Sequence, residues 1–268
     1  MLSQAGREVL IKAVIQAIPT YTMSCFKLPK GLVRELKSLI QKFLWGYSSD
    51  SRKVHWVCWE KLCEVKEVGG MGFKEIEKFN DALLAKQVWR MINNPGSLCF
   101  RVFKARFFPN CSILEANDSI AGSYAWKSIL GARDVIRKRM VWRIGDGNSV
   151  RVKEDKWLAQ RDSRSIISPL PTILPETRVS SLIEANRREW KTEVIQELFL
   201  PSEASVTMGI PLSLRSTKDR IIWAYTPSGM YTASSAYKLL TVRNVHGSSN
   251  REPQKRFLEG PLGASSAS

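Results

Sequence analysis

Lys53–Pro95 reads KVHWVCWEKLCEVKEVGGMGFKEIEKFNDALLAKQVWRMINNP. Trp56, Trp59 and Leu62 stand three residues apart, the spacing of one buried face on a short helix. Gly69, Gly70 and Gly72 then break the chain, since only glycine enters positive φ without a steric cost. Beyond them Ile76, Phe79, Leu83, Val88, Met91 and Ile92 recur near a 3.6-residue period, and Asn94-Pro95 stops the pattern. The stretch predicts a Trp-rich helix, a glycine turn and a long amphipathic helix carrying Lys74, Lys78, Lys86 and Arg90 outward.

Upstream, Ser3 can cap a helix whose apolar stripe is Val9, Leu10, Ala13, Val14, Ala17 and Ile18, with Pro19 ending it. Thr20–Leu28 is expected to be a link, and Pro29 opens a second helix striped by Leu32, Val33, Leu36, Leu39, Ile40, Phe43 and Leu44. Downstream, helices are expected over Leu98–Phe108 and Tyr124–Arg137, the latter with Trp126, Ile129, Leu130 and Ile136 inward. The period then changes. Met140–Ile144 and Ser149–Val152 alternate around Gly145-Asp-Gly-Asn148, a hairpin signal. Residues 163–177, with Pro169, Pro171 and Pro175, read as an extended arm, and a helix around Trp190–Leu200 should end at Pro201. A second hairpin is expected from Arg220–Tyr225 and Met230–Thr232, followed by a helix from Ser234 to Leu240. The fold class is mainly α with small β-hairpins (α+β): a helical basic part over 1–115, an α+β connector over 116–240, and a disordered tail over 241–268.

The chain of 268 residues carries 41 basic and 25 acidic side chains, a net charge of +16. The excess is uneven: residues 1–160 hold 27 basic against 15 acidic, whereas 161–268 hold 14 against 10. Such a sign suits a polyanionic partner, although a solvated basic face accounts equally well for composition alone. The densest window, Lys27–Lys53, has seven basic and two acidic residues. Its Lys27, Lys30, Arg34, Lys37 and Lys42, extended by Arg52 and Lys53, are the candidate nucleic-acid-binding residues. No apolar run approaches the ~20 residues of a membrane span, and Met1–Arg7 lacks a signal-peptide pattern. Five cysteines do not suggest a disulfide scaffold. An intracellular protein of nucleus or cytoplasm, neither secreted nor transmembrane, is the expectation.

Several words resemble one family. HWVCWEKLC, GGMGF and FNDALLAKQVWRMINNP come in the order found downstream of the polymerase palm in plant LINE-type (non-LTR) retrotransposon reverse transcriptases. Those polyproteins continue into a zinc-binding segment and often a ribonuclease H domain. The resemblance extends to LSQAGREVLIKAVIQAIPTYTMSCFKLPK, YAWKSILGARDVI, WRIGDGNSVRVKEDKWL and the run Asp219–Leu240, covering roughly residues 2–240. It implies that Leu2–Trp45 lies in or near the helical thumb gripping a primer–template duplex of RNA and DNA. The implied protein is a truncated, non-catalytic fragment that binds such a duplex without sequence specificity. Separately, the broad apolar stripes on Val9–Ile18 and Leu32–Leu44 lead to the expectation of self-association through exposed helical faces. Two alternatives stay open: a retroelement relic without selected function, or part of an active enzyme whose catalytic domains are missing from the gene model.

Catalytic chemistry is hard to build from this sequence. Two-metal polymerases need paired carboxylates, and no Asp-Asp pair occurs. Asp146 reads as a turn residue and Asp155 as a surface one. His55, Cys58 and Cys63 lack the fourth ligand and regular spacing that zinc demands, since Cys99 and Cys111 lie far downstream and His246 is in the tail. The family also commonly has serine at the position of Cys58. No catalytic residue, metal or cofactor is therefore assigned. Trp56, Trp59, Trp89, Trp126, Trp142, Trp157 and Trp223 can stack bases, but their apolar patterns favour the core.

Overall fold

The computed structural model describes residues 2–17, 19–46, 57–117, 122–158, 164–169, 177–184, 186–213 and 217–242. Eleven α-helices lie among them in chain order, with four short antiparallel strands. Contacts divide the described chain into two units. One runs to Lys138 and resumes at Tyr231; the other spans Arg139–Met230. The protein is mainly α with a small β complement.

The first unit contains α1 (Gln4–Leu10), α2 (Thr20–Cys25), α3 (Lys30–Trp45), α4 (Trp59–Cys63), α5 (Ile76–Asn93), α6 (Leu98–Phe107), α7 (Tyr124–Gly131), α8 (Arg133–Arg137) and α11 (Ala233–Val242). Its axis is α5, the long helix of the quoted stretch. Nine of its 18 residues are buried, including Ala82, Leu84 and Ala85 between the apolar stripes. Neighbours α2, α7, α8 and α11 pack around it, so its small residues serve as contact surface and it has no single inner face. Before α5, Gly69 (φ 85°) and Gly72 (φ 69°) take left-handed conformations, and a Cβ on Gly70 would lie 2.1 Å from the Glu64 carbonyl oxygen. The turn carries Phe73 back onto Trp59, the rings stacking at 5.8 Å.

One side chain fastens α5 to the segment before α3. Asn80 is 1% exposed. Its Oδ1 accepts from Leu28 N–H at 2.8 Å, and its Nδ2 donates to the Met23 and Phe26 carbonyls at 2.7 and 2.9 Å. Two buried main-chain groups and one partly buried one are thereby satisfied. On another side of α5, Tyr231 donates its hydroxyl to the Ala82 carbonyl at 2.8 Å, and the Tyr237 hydroxyl accepts from Glu75 N–H at 2.8 Å.

Several expectations need correction within this unit. Thr20–Cys25 is helix, not link. The first helical segment continues as a π-helical turn over Ile11–Ile15, in which Gln16 N–H donates to the Ile11 carbonyl. Widening the turn shifts the buried positions to Ile11 and Gln16, leaving Val9 62% and Val14 44% exposed. On α3 only Val33, Ile40 and Leu44 are buried, while Leu32, Leu39 and Phe43 face outward. The helix expected over 124–137 breaks at Ala132 into α7 and α8, with Trp126, Ile129, Leu130 and Ile136 buried as expected.

In the second unit β1 (Met140–Arg143) pairs antiparallel with β4 (Arg220–Trp223), and β2 (Ile183–Glu184) with β3 (Glu189–Trp190). The expected hairpin at 145–148 does not form. The Asp219 carboxylate accepts from Gly145, Gly147 and Ser149 N–H at 2.7–2.9 Å, holding the loop open. Residues 150–152 then bond 177–179, with Val179 N–H donating to the Val150 carbonyl at 2.9 Å. Charge-assisted bonds to a distant carboxylate thus displace the local hairpin turn. The second expected hairpin keeps its turn, Trp223 N–H donating to the Gly229 carbonyl, but Met230–Thr232 forms no strand. Trp190 lies in β3, α9 spans Thr192–Leu198, and Pro201 begins a further helix, α10 (Pro201–Met208). Buried Glu203 in α10 accepts from Ile167 and Ser168 N–H at 2.6 and 3.2 Å, seating the described part of the proline-containing arm. Asp146 accepts from Asn148 N–H as a turn residue does. Asp155 is no free surface group: it accepts from Arg151 N–H at 2.7 Å and is mostly covered. The tail expected to be disordered lies, from residue 243, outside the described residues.

Asn80→Ala should lower the unfolding free energy by about 3 kcal/mol in urea titrations, because it strands two buried main-chain groups and a partly buried third. Asn80→Asp should cost at least as much, since an anionic oxygen would face two carbonyls. An alanine variant as stable as the parent would mean that the Met23–Leu28 segment is held by something else.

Candidate nucleic-acid interface

The basic window begins where Asn80 fixes the chain. Lys27 emerges between the two carbonyls and the amide that Asn80 binds, and its ammonium pairs with Asp81, the next residue of α5. Pro29 precedes α3 and Lys30 is its first residue. Lys30, Arg34 and Lys37 follow at spacings of four and three, which keeps them along one side of the helix. Lys37 is engaged: its Nζ lies 2.6 Å from Glu75, with both side chains largely covered. Glu75 therefore links three helices, through its carboxylate to α3, its amide to Tyr237 of α11 and its own place at the start of α5.

Lys30 and Arg34 are exposed, and among the described residues no ion pair engages either. Lys42 is exposed too and lies off that side, near Arg7 and Phe43. Arg7 reaches the last turn of α3, its Nη1 3.4 Å from the Leu44 carbonyl. Arg52, Lys53, His55 and Trp56 lie outside the described residues. Two of the five described candidates are thus occupied by acids 54 and 38 positions away in sequence, and no local signal could have shown it.

The tryptophans serve the core. Trp59, Trp89, Trp126, Trp157 and Trp223 are at most 4% exposed, and Trp142 packs half-buried against the second core. Exposed aromatic surface comes instead from Phe26 and Tyr124, whose rings stack at 6.0 Å, and from Tyr21.

Among the described residues, no three His, Cys, Asp or Glu side chains come together as metal ligands do. Cys58 is exposed before α4, whereas Cys63 is half-buried at its end. Burial, reinforced by the Glu75 carboxylate, pushes the Cys63 thiol up to about 12. A ligand or nucleophile needs the thiolate, which Cys63 does not offer near neutrality. No described helix is long and apolar enough to cross a membrane.

Two proteins of Arabidopsis thaliana are similar to this chain. "Uncharacterized mitochondrial protein AtMg00310" is 40% identical over 158 residues, covering 59% of this chain and 99% of that protein. "Putative ribonuclease H protein At1g65750" is 30% identical over 252 residues, covering 91% of this chain but 40% of that protein. The chain therefore spans about two-fifths of the length of the second relative. No family model and no solved structure matches.

Treatment at pH 8 with an aromatic disulfide reagent should label Cys58 rapidly and leave Cys63 unreacted until the protein is unfolded. A thiol whose pKa is near 12 stays protonated at pH 8 and becomes reactive only as pH rises toward that value. Equal labelling rates, read by peptide mass spectrometry, would contradict the buried placement of Cys63.

Proposed function

We propose a nucleic-acid-binding role for this chain, which belongs to the family of the Arabidopsis mitochondrial protein AtMg00310. It is a non-catalytic fragment derived from a LINE-type retrotransposon reverse transcriptase, and its basic helices bind RNA–DNA duplex without sequence specificity. The observation that carries this reading is the exposed side of α3, where Lys30 and Arg34 stand without a described acidic partner in a chain of net charge +16. Phosphate neutralisation needs clustered, solvent-facing cations and little else, so binding of this kind is salt-dependent and indifferent to base order. Similarity to a relative named for ribonuclease H supports a nucleic-acid setting. The word-by-word resemblance supports the thumb-like assignment of the first helices and a connector role for the rest.

Lys27 and Lys37 are better understood as fasteners between helices than as phosphate ligands, because each already holds an acid of the α5 region. A second reading follows from Val9, Leu39 and Phe43, apolar side chains on helices that leave them facing water. These faces support self-association of the chain.

Titration with an RNA–DNA hybrid across a salt series separates these roles. Lys30→Gln with Arg34→Gln should flatten the slope of log K against log salt by about 2, near one unit for each lost phosphate contact. Lys37→Gln should leave the slope nearly unchanged and lower thermal stability instead. Equal slopes for parent and the Lys30/Arg34 variant would remove α3 from the interface. Sedimentation of the free chain should show concentration-dependent association that Leu39→Glu weakens, and a monomer at all concentrations would reject the apolar-face reading.

A further inference from the structure

The aromatic pair on the surface beside α3 is held with more care than exposed side chains require. Tyr124 opens α7, whose end is capped by the Ser123 hydroxyl accepting from Trp126 N–H. Its own hydroxyl donates to the Lys27 carbonyl. Phe26 sits one residue earlier, with its carbonyl bonded to Asn80 Nδ2 at 2.9 Å. The two rings lie 20° from parallel, their centroids 6.0 Å apart. Tyr124 is thus held at its hydroxyl and Phe26 at its main chain, yet Tyr124 remains 54% and Phe26 38% exposed. Leaving aromatic surface in water forgoes burial energy, and fixing it forgoes rotamer freedom as well. An open, pre-positioned π face is what a flat ligand needs.

Charge around the pair narrows the ligand. Lys30 is exposed four residues beyond Phe26, and Lys127 is exposed one helical turn beyond Tyr124. Asp81, the acid adjoining Lys27, is neutralised by it. The patch therefore joins an aromatic face to cations that no acid among the described residues pairs with. Bases inside a duplex have both faces covered by their neighbours, so only an unpaired base can extend this stack.

We infer that Phe26 and Tyr124 form a stacking platform for one unpaired base of a single-stranded nucleic acid, with Lys30 and Lys127 serving the adjoining phosphates. The inference rests on the nucleic-acid reading above and adds to it a site that distinguishes single strands from duplex.

The test uses the full chain and two 15-nucleotide probes, oligo-dT and oligo-U, each carrying one 2-aminopurine, beside a blunt RNA–DNA hybrid. Phe26→Leu and Tyr124→Leu keep apolar bulk but remove the π face, and each should weaken single-strand binding about tenfold while reducing 2-aminopurine quenching. Tyr124→Phe, which keeps the π face but loses the hydroxyl anchor, should weaken binding less than Tyr124→Leu and keep the quenching. Similar losses are expected for dT and U, because stacking reads the base and not the sugar. Hybrid binding and its salt slope should be unaffected by the leucine variants. Leucine variants that bind single strands like the parent, or that lose hybrid binding equally, would overturn the platform. If hybrid binding then keeps its dependence on Lys30 and Arg34, the proposed function stands without it. Absence of hybrid binding in the parent would instead defeat the function itself.

Discussion

The amide of Asn80 is the constraint on which the first unit turns. A fully buried amide must find partners for two donors and an acceptor, and this one takes all of them from the main chain of residues 23–28. Because those partners are backbone groups, the bond set fixes the path of the chain rather than the identity of its side chains. Everything at the start of α3 follows from it: Phe26 is turned outward, Lys27 is brought to Asp81, and Leu28 is buried at 8% exposure. An apolar residue at 80 would pack there but leave three polar groups without partners, a larger cost than the packing returns.

The same geometry decides which charges face solvent. A count of lysines treats every ammonium alike, but α5 and the residue before it supply two carboxylates that take two of the window's cations. The Lys27–Asp81 pair is the more solvated and contributes little stability, whereas the largely covered Lys37–Glu75 pair is the firmer fastener. Their larger consequence is subtraction. They reduce the window's field near Lys27 and Lys37 and leave Lys30 and Arg34 as its open part.

What was legible in the sequence is what local physics controls. The glycine turn at 69–72, the end of α5 near Asn94, the cap at Ser3 and the inward face of α7 follow from φ, capping and period. Errors arose where a distant group outbid a local preference. Asp219 opened the loop at 145–149 from some 70 residues away. The π turn at Ile11–Ile15 moved the buried positions although the periodicity on either side was intact. The broad stripe of α3 was only half used, because an apolar residue is permitted inside but not compelled there. For the candidate interface, the helix and its cations were readable, whereas Glu75 and Asp81 as their partners were not.

Aromatic residues show the same division in a way that bears on recognition. A tryptophan on a 3.6-residue period gains most by burial, and the buried ones here include Trp126, with Phe107 stacked on it at 4.7 Å. Tyrosine differs because its hydroxyl can be satisfied at an edge while its ring stays open. Tyr231 and Tyr237 spend the hydroxyl on α5 and bury the ring or most of it, whereas Tyr124 spends it on the Lys27 carbonyl and leaves the ring facing out. What separates them is where the accepting or donating group lies relative to the core. Asn80 draws the Lys27 region to the margin of α5, so a tyrosine anchored there is held without being covered. The clamp that secures the fold is thereby also what presents an aromatic face beside the open cations of α3.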